Sequence, residues 1–356
     1  MKKRDVRGER VFKIQFYTYR SMEESDPPFM EFYKNLFDNL DESMKKNNDG
    51  GESYEVEEWE LPMIDLGRLD RGGREGAACK REIAEASRKW GFFQVKNHGI
   101  SQGVLEKMRF EQIKVFRKRY DEKMSDSGEL NFPVGSYRWG TPSATCLKQL
   151  AWSEAFHVPL TDISNMGGVT SLSTTMEQFA TAVSNLAETL VEILAGELGH
   201  KYDFFKDNCL PSTCYLRMNR YPPCPVAPEV FGLMPHTDSD FLTILYQDEI
   251  GGLQLVKDGK WISVKPNKEA LIINIGDLFQ AWSNDVYKSV EHRVVANKRT
   301  ERFSTAFFFC PSYDTMIQSC VENSIYRNFS FKEFRQQVQD DVKRYGYKIG
   351  LPRFIL

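Results

Sequence analysis

What this chain of 356 residues lacks narrows its class before any motif is read. It has no apolar run near the roughly 18 to 20 residues that a membrane span requires. The N-terminus, MKKRDVRGERVFKIQFYTYR, has no apolar stretch of the kind a signal peptide needs, and Asp5 and Glu9 argue against a transit peptide. Neither sign of charge dominates: 47 basic and 50 acidic residues leave a formal charge of -3, which gives no field to hold a polyanion. Neither a membrane nor a nucleic acid is an expected partner. None of the seven cysteines forms a CxxC pair, and the odd count argues against a complete disulfide framework. The expectation is a soluble protein of a reducing compartment, cytoplasmic and also compatible with the nucleus. No repeat of 20 to 50 residues is present.

What is there divides along the chain. Residues 1–58 are charged and weakly periodic, with a short amphipathic piece at Phe29–Leu40 and a polar linker at Lys45–Gly51, so this N-terminal segment is expected to be partly flexible. Residues 59–210 are predicted to be a helical region packing on the core. A short strand starts at Leu61, a helix covers Arg81–Trp90, and Gly91–Val95 is a strand ending in the turn Asn97-His98-Gly99. Helical spacing returns over Val104–Phe116 and Thr174–Leu198. Residues 211–320 change character. Seven short apolar runs stand between turns, at 215–221, 242–246, 252–256, 261–264, 270–275, 289–295 and 303–309. Residues 321–356 form a C-terminal helical segment. The fold class expected is therefore α+β, a jelly-roll core flanked by helices.

Histidine is scarce, with five in the chain. His236 and Asp238 lie in Met-Pro-His-Thr-Asp-Ser-Asp at the start of a predicted strand, where residues i and i+2 project to one face. His292 follows in the strand-like Ser-Val-Glu-His-Arg-Val-Val. Two histidines and one carboxylate leave metal positions free, the facial arrangement of non-haem iron(II) oxygenases, whereas structural zinc takes four closed ligands. An isolated His-x-Asp often arises by chance. Arg302 and Ser304 add weight, because they share a face in the apolar run Phe303–Phe309, and an inward arginine there needs an anion. A ligand carboxylate supplies one, and such a buried charge-assisted pair contributes about 1.5–3 kcal/mol.

Asn219-Arg220-Tyr221-Pro222-Pro223-Cys224-Pro225, His236-Thr237-Asp238, His292 and Arg302-Phe303-Ser304, in this order, resemble the plant soluble 2-oxoglutarate-dependent dioxygenases. Trp90 to Gly99 and Gly276-Asp277 match as well. The resemblance implies a double-stranded β-helix whose His236, Asp238 and His292 bind Fe(II), with O2 as oxidant and ascorbate as reductant. It further implies that Tyr221, Arg302 and Ser304, assisted by Asn219, hold 2-oxoglutarate. His98, His157 and His200 are left as packed residues.

Ser136-Tyr137-Arg138-Trp139-Gly140-Thr141-Pro142, Ser153 to Pro159 and His236 to Gln247 are similar to gibberellin 2-oxidases, specifically the group acting on C20 precursors. The likeness starts near Asp26, and residues 1–21 fall outside it. It implies 2β-hydroxylation of a carboxylate-bearing diterpenoid, which inactivates the hormone skeleton. Tyr137, Arg138, Trp139, Trp152, Phe156, Tyr246 and Phe309 are the substrate-wall candidates, an apolar pocket with a cation being the complement of such a ligand. The same chemistry on a flavonoid or other specialised metabolite, and a non-catalytic ligand-binding jelly roll, are the competing readings. Oligomeric state is not legible.

Overall fold

A computed structural model describes residues 24–38, 56–125, 132–166, 170–227 and 230–356. The predicted linker at Lys45–Gly51 lies outside the described residues, as does the end of the amphipathic piece, which opens with the short helix α1 (Phe29–Phe32).

Two sheets carry the architecture. The smaller has the order β1-β10-β9-β12-β7, and the larger β2-β3-β11-β8-β13-β6-β5-β4. In chain order the strands are β1 (Glu58–Trp59), β2 (Met63–Asp65), β3 (Phe92–Lys96), β4 (Tyr137–Trp139), β5 (Glu154–Pro159), β6 (Tyr215–Tyr221), β7 (Phe231–His236), β8 (Leu242–Gln247), β9 (Leu253–Lys257), β10 (Lys260–Val264), β11 (Leu271–Ile275), β12 (His292–Val295) and β13 (Arg302–Phe309). Residues from both sheets line a single cleft between them, as a jelly roll requires.

The seven strands predicted after Cys214 are present with ends shifted by a few residues. Two features differ from expectation. Residues 59–210 give the large sheet β4 and β5 in addition to the two strands expected there, present as β2 and β3. The sequence reading also has no strand at Phe231–His236, the one that carries His236.

Strand alternation then sorts side chains. In β13, Arg302, Ser304, Ala306 and Phe308 line the cleft, while Phe303, Phe307 and Phe309 turn the other way into the main core. Helices cover that outer face: α2 (Gly73–Lys89), α3 (Gln102–Phe116) and α4 (Ser171–Gly196). In α4, Met176, Phe179, Val183, Leu186, Leu190 and Leu194 are buried at intervals of three or four, the single stripe a sheet-covering helix needs. Its start is fixed by a reciprocal cap, in which the Thr170 side chain accepts from Ser173 N and the Ser173 side chain accepts from Thr170 N. No helix among the described residues is long and apolar enough to cross a membrane.

On the same outer side lies a buried ionic network. Lys123 and Glu154 pair at 2.5 Å with both side chains fully buried, and Arg220 reaches Glu154, Asp26 and Glu301 at 2.8–2.9 Å. It ties the N-terminal segment to β5 and β6. After the barrel, helices α5 (Asp277–Trp282, between β11 and β12) and α6 (Phe331–Tyr345) complete the framework.

Candidate metal centre

His236 ends β7 and His292 begins β12, and the two are direct register partners in that antiparallel pair. This pairing closes the long gap in sequence and sets the rings 4.3 Å apart. Asp238 follows two residues beyond the end of β7, in non-strand backbone anchored where Asp277 N donates to Asp238 O at 2.9 Å. The His-x-Asp pair is thus a strand end plus a loop, not two residues of one strand.

Each side chain is aimed. His236 Nδ1 lies 2.7 Å from Met234 O and His292 Nδ1 lies 3.0 Å from Val290 O, so Nδ1–H donates and both Nε2 lone pairs face inward. Asp238 Oδ2 accepts from Thr243 Oγ1 at 2.6 Å and Asn274 Nδ2 at 2.8 Å. Its other oxygen, Oδ1, is left 3.6 Å from His236 Nε2 and 3.8 Å from His292 Nε2. The three potential ligand atoms fall within 4.8 Å of one another.

Charge agrees with that geometry. Burial, reinforced by His292, pushes the His236 imidazole well below its ordinary value and keeps it neutral. For Asp238, burial acts upward, but His292, His236 and the bonds from Thr243 and Asn274 win and hold the carboxyl below the usual range. A neutral imidazole beside a carboxylate is the protonation state a cation needs. The donor set of two nitrogens and one oxygen suits iron(II), with no thiolate that would favour zinc.

Further along the cleft floor, Arg302 is buried over the Tyr221 ring, with 4.9 Å from Cζ to the centroid. Nη2 donates to Gln247 Oε1 at 2.7 Å and Nη1 to Ser304 Oγ at 3.3 Å. Arg302 Nε and Gln247 Nε2 are buried with no partner, and among the described residues no carboxylate forms an ion pair with Arg302. The Asp248 carboxyl acts on Arg302 only from beyond ion-pair distance, and a buried guanidinium with an unpartnered Nε is costly, so this end of the cleft fits a carboxylate ligand.

The structure brings His236, Asp238, His292, Tyr221, Arg302, Ser304 and Asn219 to one cleft. It does not bring the aromatic substrate candidates there. Trp152 stacks on Phe29 at 4.4 Å, and Trp139 packs edge-on against Phe29, Phe32, Tyr33 and Tyr120. Tyr137 donates to Glu154, and Phe156 packs between Phe116 and Phe132. Tyr246 and Phe309 point away from the cleft, their neighbours Leu245 and Phe308 lining it instead. Of the seven candidates only Arg138, paired with Ala155 in the row of Asn219 and Ser304, shares the inner face.

Sequence reasoning missed several residues of the site. Asn274 carries the polar side chain of the otherwise aliphatic β11, and a buried asparagine in such a run is itself a signal. Arg217 lines the cleft two residues before Asn219, at a spacing that shares its face. Lys348, beyond α6, reaches back to Thr237 O at 2.8 Å, Ser239 Oγ at 2.8 Å and Asp277 Oδ2 at 2.7 Å. No local pattern announces a contact of that range.

Known proteins resemble this chain. Residues 212–311 match the 2OG-Fe(II) oxygenase superfamily, and residues 61–172 match the N-terminal region of the non-haem dioxygenase in morphine synthesis. Gibberellin 2-beta-dioxygenase 8 of Arabidopsis thaliana is 62% identical over 93% of this chain and 98% of its own length. Gibberellin 2-beta-dioxygenase 6 of Oryza sativa subsp. japonica is 48% identical over 92% of this chain and 96% of its own. Among solved structures, JOX2 in complex with 2OG, Fe and JA superposes with a TM-score of 0.70 at 31% identity, covering 88% of this chain and 97% of that one. The ligand set on paired strand ends, the anion-ready arginine beside it and these near full-length likenesses lead to one conclusion: this chain belongs to the 2OG-Fe(II) oxygenase superfamily.

Proposed function

We propose that this chain is an Fe(II)- and 2-oxoglutarate-dependent dioxygenase that hydroxylates gibberellins at the 2β position, with C20 precursors as its substrates. The observation that carries the chemistry is the three-donor set open to the same cleft as an unpaired buried guanidinium. The substrate reading draws on the gibberellin 2-beta-dioxygenases of Arabidopsis thaliana and Oryza sativa subsp. japonica to which the chain is similar.

In this reading His236, Asp238 and His292 hold the ferrous ion, which supplies O2 activation coupled to decarboxylation of 2-oxoglutarate to succinate and CO2, with ascorbate keeping it reduced. Arg302 and Ser304 hold the distal carboxylate of 2-oxoglutarate, with the Tyr221 ring under the guanidinium. Asn274 and Thr243 keep Asp238 turned so that one oxygen faces the ion. The apolar walls from Phe92, Leu233, Leu253 and Val294 exclude water from the reacting C–H bond.

The test is incubation of the purified chain with labelled C19 and C20 gibberellins, Fe(II), ascorbate and 2-oxoglutarate. Succinate should appear in step with a product carrying one added oxygen at C2, identified by mass spectrometry, and His236→Ala should form neither. Failure to oxidise any gibberellin while turning over a flavonoid would overturn the substrate assignment and leave the chemistry standing.

A further inference from the structure

The buried arginine at the end of the cleft is held by a neutral side chain. Gln247 is the last residue of β8, four and two positions after the cleft-lining Thr243 and Leu245, so it shares their inward face. Its register partner on β13 is Ser304, whose partner on β6 is Asn219, and all three are buried. From the neighbouring row, over the Tyr221 ring, the Arg302 guanidinium leans toward this one. Nη2 donates to Gln247 Oε1 at 2.7 Å and Nη1 to Ser304 Oγ at 3.3 Å, so two uncharged oxygens set the plane of a buried cation.

The acid that follows Gln247 in the chain is turned elsewhere. Asp248 Oδ2 accepts from Phe303 N at 2.5 Å and Oδ1 accepts from Ile250 N at 3.1 Å. Both oxygens are committed to backbone donors and away from the guanidinium. The chain thus places an amide where a carboxylate would neutralise Arg302, and the carboxylate one position on.

Two donors are left over. Arg302 Nε and Gln247 Nε2 are buried without a partner, and they belong to the two side chains joined at 2.7 Å. Orphaned buried donors destabilise the chain that carries them. An entering carboxylate brings two acceptor oxygens to this place.

We propose that Gln247 is a positioning residue for the co-substrate: its amide oxygen sets the guanidinium, and its lack of charge keeps Arg302 without a counter-ion until a ligand carboxylate enters. This rests on the dioxygenase reading above and adds to it the residue that keeps the arginine available. A glutamate at 247 has the same reach and shape but would hold the cation itself. The ligand would then have to displace a buried ion pair, which is strongly unfavourable, where in this chain it completes one.

The test is calorimetric titration of the full chain loaded with Mn(II) at about pH 8, which keeps an introduced carboxyl ionised. The ligands are 2-oxoglutarate and 2-oxopentanoate, which keeps the 2-oxo acid end and lacks the distal carboxylate. Wild type should bind 2-oxoglutarate about tenfold or more tightly than 2-oxopentanoate, the scale of a charge-assisted contact. In Gln247→Glu the two should bind within about twofold of each other, with affinity for Mn(II) and 2-oxopentanoate held at the wild-type level. The urea midpoint of the ligand-free variant should be at or above that of wild type, because the new anion pairs the buried cation. Gln247→Met releases the guanidinium without adding an anion, so 2-oxoglutarate should weaken about threefold and part of the preference should remain. A full preference surviving in Gln247→Glu, or unchanged 2-oxoglutarate affinity in Gln247→Met, overturns the role of Gln247. Wild type binding the two ligands alike overturns the reading of Arg302 as the co-substrate's anchor, and the inference with it.

Discussion

Asp238 has two oxygens, and the chain treats them differently. Two donors occupy Oδ2, so one oxygen alone remains for a cation. Asn274→Ala removes one of these donors without touching a ligand, and such outer partners are worth roughly ten- to a hundredfold in metal affinity. We expect Mn(II) affinity, read by calorimetry, to fall about tenfold, and an unchanged affinity would remove the orienting role. Arg302→Lys keeps the charge but loses the fork, so the KM for 2-oxoglutarate should rise about tenfold or more while metal affinity holds. At this scale the sequence was informative where chemistry is rare. With five histidines in the chain, each could be weighed singly, and an arginine in an apolar run demands an explanation. It was uninformative about aromatic residues, because a strand turns alternate side chains to opposite faces. Tyr246 and Phe309 each stand one position from a lining residue.

Elements explain what single residues do not. β7 was illegible because Phe231-Gly-Leu-Met-Pro-His contains two residues that ordinarily break a strand. It tolerates Pro235 as the terminal strand of its sheet, where one row of donors need not pair. Gly232 lies against Tyr221, where an added Cβ would come within 2.6 Å of the ring, so the glycine seats the strand over the Tyr221 end of the cleft. The ionic network behind β5 and β6 was equally hidden, since its members come from Asp26, Lys123, Glu154, Arg220 and Glu301. Glu154→Ala would leave Lys123 and Arg220 buried without their shared anion. Breaking a pair of this kind costs about 3–5 kcal/mol, so the urea midpoint should drop sharply. A change in midpoint within error would show that water reaches the network.

The whole molecule couples these parts through one barrel. Ligands that bind the folded chain and not the unfolded one raise its stability by mass action, about 2.7 kcal/mol at a hundred times Kd. Mn(II) with 2-oxoglutarate should therefore raise Tm by several degrees in differential scanning fluorimetry, and 2-oxoglutarate should add nothing to Arg302→Met. The jelly-roll class and the positions of seven late strands were readable because short apolar runs between turns leave few other architectures. The strands β4 and β5 were not, because β5 is stabilised by pairing with β6, far along the chain, and β4 by pairing with β5.

Lys348 changes how the tail of this protein should be handled. Its ammonium bonds to both neighbours of Asp238, at Thr237 O and Ser239 Oγ, so the residues after α6 buttress the loop that carries the carboxylate ligand. A clip by carboxypeptidase, or a truncation after Tyr347, is then an active-site lesion delivered from the far end of the polypeptide. Its expected signature is weakened Mn(II) binding in a chain whose far-ultraviolet circular dichroism is unchanged. For expression this favours placing an affinity tag at the opposite terminus.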